Sequence, residues 1–395
     1  MIIGPGRLSL RLAALYAALF SVIGIQLPFW PLYLSAKGLD APQIGLLMAA
    51  GFLVKIFTNP LIGQIVDRRG DRRRPLLLLA AASALVLSGF AAADGFWPLL
   101  LLTMLFGACF SAMMPLTDSL TMQAGGSLRL DYGRIRLWGS LSFIAASGLA
   151  GLFLVEAPPP AILWSVVAAQ LLVVVACLGL PDLRCETPSG PPRPLGALMA
   201  DRRFQVFLAT TSAIQISHMI YYGFATLHWH AAGLSGPLIG ALWAEGVIAE
   251  VVLFAFGRRL VARLGPRRLL AIAGAAGLLR WSVLGLTTDP WALAAAQLLH
   301  AATFGATHLG AMHFITAAGP AGFSARAQAL YASVTVGLAP GLAMLVAGSL
   351  YQALAGHAFL VMGAVAALGL AISFGLDTAD KEEKPPLSRH SEASS

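Results

Sequence analysis

Apolar residues gather into twelve long runs along the chain, at approximately 10–34, 43–66, 75–93, 97–122, 135–155, 160–180, 204–230, 237–257, 268–287, 290–316, 327–352 and 356–376, with the charged and turn-forming residues confined largely to the gaps between them. A helix needs about 20 predominantly apolar residues to cross ~30 Å of hydrocarbon. The pattern therefore predicts an all-α membrane protein of twelve transmembrane helices. The first run exceeds the about 7 to 15 apolar residues of a signal-peptide core and continues into Pro28, Trp30 and Pro31, so it reads as a retained first helix.

Composition agrees: 58% of the 395 residues are hydrophobic and 11% are charged, against about one-quarter charged in soluble domains. A formal net charge of +8 would suggest nucleic acid as partner in a soluble chain. Here the placement of the charge argues for a bilayer instead. With both termini in the cytoplasm, all of the 26 Lys and Arg residues except Lys37, Lys55 and Arg280 fall on the cytoplasmic side, as the positive-inside rule requires. The three cysteines, Cys109, Cys177 and Cys185, show no metal-ligand or redox spacing. No zincin, Ser/His/Asp, Walker or dinucleotide motif is present, so neither an enzyme nor a cofactor or metal is expected.

The chain matches itself when shifted by 195 residues: AKGLDAPQIGLLMAA (36–50) falls on AAGLSGPLIGALWAE (231–245), and DRRGDRR (67–73) on ARLGPRR (262–268), without a gap. Two six-helix halves, 1–180 and 204–376, are expected to flank a Pro- and Arg-containing cytoplasmic linker at 181–203. Residues 377–395 are polar and aperiodic, the composition of a disordered tail. Duplicated halves around a midplane site are the architecture of secondary transporters.

GQIVDRRGDRR, Gly63 to Arg73, resembles the loop motif of the major facilitator superfamily, in which Gly, Asp, Arg, Gly and a basic pair recur at this spacing. The resemblance implies two bundles related by a pseudo-twofold axis, alternating access by a functional monomer, and a gating role for Gly63, Asp67, Arg68, Gly70, Arg72 and Arg73. In the second copy Ala262 replaces the aspartate while Arg263 keeps the basic half, which implies an asymmetric latch.

Ionised groups at the bilayer centre cost from ~3 to over 10 kcal/mol, so the few present should face a cavity or a partner. They are Lys55, Asp118, Glu245, Glu250 and Arg280, with His218, His228, His230, His300, His308 and His313 beside them. The 195-residue shift carries Lys55 onto Glu250, placing opposite charges at equivalent points of the two halves. Glu245 lies about 140° round the helix from Glu250, which leaves it at the rim. His300, Phe304 and His308 share one helix face, and a proton path through the two histidines is open because imidazole titrates near neutrality.

Arg280 followed twenty residues later by His300 is similar to the proton-coupling pair of the lactose/proton symporter group. Asp118 and Arg136 match its hydroxyl-binding acid and arginine. Thr303 stands where that group has a glutamate and Phe143 where it has a tryptophan, so Glu250 is the expected supplier of a carboxylate. A closer resemblance, in order and spacing, joins IQLPFWPLYL, DYGRIRLWGSLSF, HMIYYGFATLHWHAAG, LWAEGVIAEV, LLRWSVLG and LLHAATFGATHLGAM to the phenylpropionate permease family of the superfamily. It implies a multi-pass protein of a bacterial-type cytoplasmic membrane that imports an aromatic carboxylate with protons. On that reading Glu250, Arg280, His300 and His308 couple the proton. Lys55, Asp118, Arg136, Arg280, Phe143, Trp30, Tyr222 and Trp281 are the candidates for binding the substrate, the cations for its carboxylate and the rings for its apolar part. The expected cycle has Glu250 take up an external proton and release Arg280 or Lys55 from its carboxylate. Symport of a sugar, nucleoside or other solute, and a transport-inactive sensor or scaffold, are the alternatives.

Overall fold

In a computed structural model, which describes residues 5–128, 130–181, 195–318 and 324–376, every one of the twelve apolar runs is helical. The side chains of 5, 67, 69, 123–128, 195–197, 317–318 and 324–326 lie outside the described part, as do most of the linker and the whole tail. No strand occurs among the described residues.

Six helices precede the linker region in seven segments: α1 (Pro5–Ala36), α2 (Ala41–Arg69), α3 (Arg73–Gly89), α4 (Phe96–Phe110), α5 (Met113–Leu128), α6 (Tyr132–Leu154) and α7 (Pro160–Gly179). After a short α8 (Leu195–Ala200) come α9 (Arg202–Ile216), α10 (Met219–Ala231), α11 (Gly236–Ala255), α12 (Gly257–Leu286), α13 (Pro290–Leu298), α14 (Thr307–His313), α15 (Ser324–Tyr331), α16 (Ala339–Leu354) and α17 (Ala358–Ser373). Eight helical stretches among the described residues are long and apolar enough to cross a membrane, one of them, Ala327–Ser373, holding both the eleventh and the twelfth run. The other runs are shorter or are broken where polar chemistry enters the bilayer. The seventh breaks at Ser217 and His218 between α9 and α10, and the tenth and eleventh pass through π-helical stretches at Ala301–Ala306, Phe314–Ala318 and Ala332–Leu338. Such wide turns recur at functional sites in helices.

The duplication is written in the backbone. Gly38 and Gly233, 195 residues apart, have φ of 84° and 86°, and Gly70 and Gly265 both have φ of 66°. These left-handed positions favour a residue without a Cβ. Asp40 caps α2 by accepting from the Gln43 N–H while the Gln43 side chain accepts from the Asp40 N–H. Its counterpart Ser235 precedes α11, with proline in the first turn of both helices.

Within the first half α1 packs along α6 and α7; within the second, α12 packs along α17. Across the halves the contacts are α2 with α16 and α6 with α11. There glycines let the backbones touch: a Cβ on Gly348 would collide with the Ala41 carbonyl oxygen, and one on Gly236 with that of Gly151. Small residues are the usual means of close helix approach in lipid. The glycines whose backbones meet in these contacts, Gly45, Gly348, Gly151, Gly236 and Gly240, lie toward the end of the bundle that carries the α1–α2 and α6–α7 turns, so that end is shut.

Candidate functional site

The break in the seventh run and the π-stretch in the tenth face each other across Arg280 of α12. Its side chain is 0% exposed. A guanidinium can only donate, so its contacts have a fixed direction: Nη2 donates to Gln297 Oε1 at 2.6 Å, and Nη1 donates to Thr303 Oγ1 and His300 Nδ1, both at 3.1 Å. Its Cζ lies 4.6 Å from the ring centres of both Tyr221 and Trp281, a cation between two aromatic faces. Gln297 in turn donates to the Tyr221 hydroxyl at 2.9 Å and the Leu242 carbonyl at 3.1 Å, and Trp281 Nε1 donates to Ser217 Oγ at 3.0 Å.

Because His300 Nδ1 accepts from Arg280, the proton of a neutral His300 ring sits on Nε2. That nitrogen faces Glu250, 3.5 Å from Oε2, with the two side chains 10% and 15% exposed. Glu250 is also within electrostatic reach of His308 and, across the two halves, of Arg136. His308 is exposed and edges onto Phe254.

On the other wall Tyr16 and Tyr132 both donate to Asp118 Oδ1, at 2.5 and 3.1 Å. Arg136 lies over the Phe20 ring at 4.0 Å, and Lys55 over the Phe52 ring at 4.1 Å. Neither cation has an ion pair among the described residues. The expected release of Arg280 or Lys55 from a carboxylate is therefore corrected. Glu250 pairs with His300, and neutral oxygens and an imidazole nitrogen accept from the two Nη atoms of Arg280, whose buried Nε has no partner among the described residues.

The expected site residues thus fall into three places. Glu250, His300 and Arg280 are joined, and Tyr222 stacks beside them on His218 at 5.7 Å, with Trp281 against Arg280. Arg136 and His308 lie at longer range around Glu250, and Asp118 is within electrostatic reach of His308. Trp30 and Phe143 are elsewhere: Trp30 stacks on Tyr33 at 4.8 Å and meets Phe90 edge-on at 5.0 Å, and Phe143 is buried where α6 crosses Gly24 of α1. A cavity of about 510 Å³ between α1, α6 and α7 shares no residue with the polar cluster and is lined mainly by Ala, Leu and Phe.

Of the loop motif, Gly70 closes α2 by donating its N–H to the Val66 carbonyl at 2.9 Å, and a Cβ on Gly63 would meet nothing within 4 Å. Arg68 is exposed, Arg72 is buried, and Arg73 donates to the Leu178 carbonyl at 3.0 Å. The side chain of Asp67 is outside the described residues.

Gln297, Thr303, Tyr16 and Tyr132 are site residues that charge counting missed. Gln297 was within reach of sequence reasoning: it precedes His300 by three positions, on the same face. Replacing it with leucine should leave Arg280 Nη2 and the Tyr221 hydroxyl without a partner. We expect a cost of about 3 kcal/mol, read as a lowered thermal midpoint of the detergent-purified protein; an unchanged midpoint would show that another acceptor takes over.

The chain as a whole has counterparts among known proteins. The model of the MFS_1 like family matches residues 9–361. The probable 3-phenylpropionic acid transporter of Escherichia coli (strain K12) is 36% identical over 370 residues, covering 90% of this chain and 94% of that one. The maltose permease of Geobacillus stearothermophilus is 28% identical over 85% of this chain and 86% of its own. Among solved structures, that of the nucleoside transporter NupG superposes with a TM-score of 0.80 at 17% identity, covering 93% of this chain and 98% of that one; it shows the fold. These relatives are transporters rather than enzymes, and with the family model spanning most of its length the chain belongs to the MFS_1 like family of the major facilitator superfamily.

Proposed function

We propose that the protein imports an aromatic carboxylate such as 3-phenylpropionate together with protons, by alternating access between the halves 1–180 and 204–376 of a monomer whose termini are cytoplasmic. The observation that carries the substrate class is the pair of cations on phenyl rings, Lys55 over Phe52 and Arg136 over Phe20, neither with an ion pair among the described residues. A cation without a counter-ion attracts a carboxylate, and the ring beneath it offers an apolar and aromatic face to the rest of the molecule. The 36% identical relative, named for 3-phenylpropionic acid, supports the same class. Glu250 supplies the proton site.

The test is uptake of labelled 3-phenylpropionate into proteoliposomes with and without an inward proton gradient. Accumulation that an uncoupler collapses is the expected result; equal, non-accumulating uptake under both conditions would leave a uniporter. Lys55→Gln should raise the apparent KM roughly ten-fold or more, the loss of one charge-assisted hydrogen bond. An unchanged KM would remove Lys55 from the binding site.

A second reading has one specific observation behind it. Asp118, held by two tyrosine hydroxyls, is an acceptor suited to sugar or nucleoside hydroxyls, and a maltose permease is among the relatives. Competition separates the two: maltose or uridine that displaces 3-phenylpropionate would favour the hydroxylated solute.

A further inference from the structure

Resting on the proton-coupling role given to Glu250, we propose that Thr303 and His218 are positioning residues that make His300 present an N–H, and not a lone pair, to Glu250. Hydrogen-bond direction decides this at each link. The Ile214 carbonyl, 2.9 Å from His218 Nδ1, can only accept, so a neutral His218 carries its proton on Nδ1 and leaves Nε2 as an acceptor. Thr303 Oγ1 lies 3.2 Å from that Nε2 and receives a hydrogen from Arg280 Nη1. A hydroxyl has one hydrogen, and Thr303 directs it to His218, its only other acceptor being the His300 carbonyl at 3.4 Å in its own helix. Thr303 is thereby fixed as an acceptor toward Arg280.

The second hydrogen of Arg280 Nη1 goes to His300 Nδ1, which holds the His300 proton on Nε2 against Glu250. The chain of bonds has a single sense from Arg280 outward at both ends. It stops His300 from taking a proton at Nδ1, so a proton that reaches this pair has the Glu250 carboxylate as its acceptor. The charged and titratable groups that face this pair are Arg280 from α12, His218 from the break before α10, Tyr222 of α10, and Arg136 of α6 and His308 of α14 around Glu250. Within the π-stretch Ala301–Ala306 that follows His300, the Thr303 N–H bonds the Leu299 carbonyl at 2.8 Å while its Oγ1 accepts from Arg280.

Thr303→Val removes the hydroxyl at nearly constant volume, Thr303→Ser restores it, and His218→Phe keeps a ring against Tyr222 and Trp281 while removing both ring nitrogens. With labelled 3-phenylpropionate in proteoliposomes, Thr303→Val and His218→Phe should lower gradient-driven accumulation roughly ten-fold, the worth of a lost hydrogen bond to a charged group, with counterflow exchange within about two-fold of wild type. Thr303→Ser should recover it. A substrate-free readout accompanies this: the carboxyl infrared band of purified protein that disappears in Glu250→Gln should titrate about one pH unit away from wild type in Thr303→Val. Wild-type accumulation and an unmoved band in Thr303→Val would overturn the inference while leaving the coupling reading intact. An equal fall of accumulation and counterflow with an unmoved band would reduce both residues to packing, and a wild type that shows no proton-driven accumulation would overturn the coupling reading and this inference with it.

Discussion

Uptake should fall to background when Gly348 is replaced by leucine, with the protein still folded and still binding substrate. The reason is steric and specific to one conformation. A Cβ at 348 would collide with the Ala41 carbonyl oxygen and stand 2.7 Å from Pro42 Cα, backbone atoms at a capped helix start that cannot swing aside. Gly45 is no freer, since a Cβ there would lie 2.9 Å from the Gly348 nitrogen. Leucine is therefore incompatible with the shut end of the bundle and compatible with that end open. Glycine in a helix interior costs about 1 kcal/mol relative to alanine, so its presence at these crossings reflects the contact. Gly148, also in α6 but with nothing within 4 Å of where a Cβ would stand, is the control: Gly148→Ala should transport as wild type. In a background without Cys109, Cys177 and Cys185, Glu245→Cys near the shut end should react with an impermeant maleimide faster when Gly348→Leu is added. Wild-type uptake by Gly348→Leu would mean that the transport cycle never requires this packing.

Much of this could be anticipated from residues alone, and the shortfall has a physical cause. Twelve helices were legible because hydrocarbon demands long apolar runs. The copy of the first loop at 262–268 was legible too, and there α12 is broken by a non-helical Gly265 with φ of 66°. The break at Ser217–His218 and the π-stretches were not, since none contains a proline; at the break the Ile214 carbonyl accepts from the Ser217 hydroxyl and from His218 Nδ1. In the site, Glu250, Arg280 and His300 announced themselves as charges in lipid. Gln297 and Thr303 did not, because a neutral polar residue in a membrane helix gains meaning only from what it meets. The same blindness produced the error over Arg280. Pairing cations with carboxylates is the natural reading of a sequence, whereas the folded chain gives the Nη atoms of this cation an amide oxygen, a hydroxyl and an imidazole, reserving the carboxylate for His300.

That reservation gives Glu250→Gln a sharp expected phenotype. Glutamine has nearly the shape of a protonated glutamate, and its amide oxygen can accept from His300 Nε2 as the carboxylate does. The arrangement of Arg280, Thr303 and Gln297 behind His300 should therefore survive, and with it binding and the rocking of the loaded protein. What glutamine cannot do is exchange a proton. Crossing the membrane centre with an ionised carboxylate costs several kcal/mol, so on the proposed coupling role the wild-type reorientation should wait for protonation, and in the variant that gate should be fixed in its neutral form. Gradient-driven accumulation of 3-phenylpropionate should be lost at every external pH, while counterflow exchange continues at a rate within a few-fold of wild type and loses its pH dependence. A variant that still accumulates substrate would place the coupling proton elsewhere, with His308, the exposed imidazole in electrostatic reach of Glu250, Arg136 and Asp118, next in line. A variant that loses exchange as well would make Glu250 part of the binding surface, its charge being needed for the substrate itself.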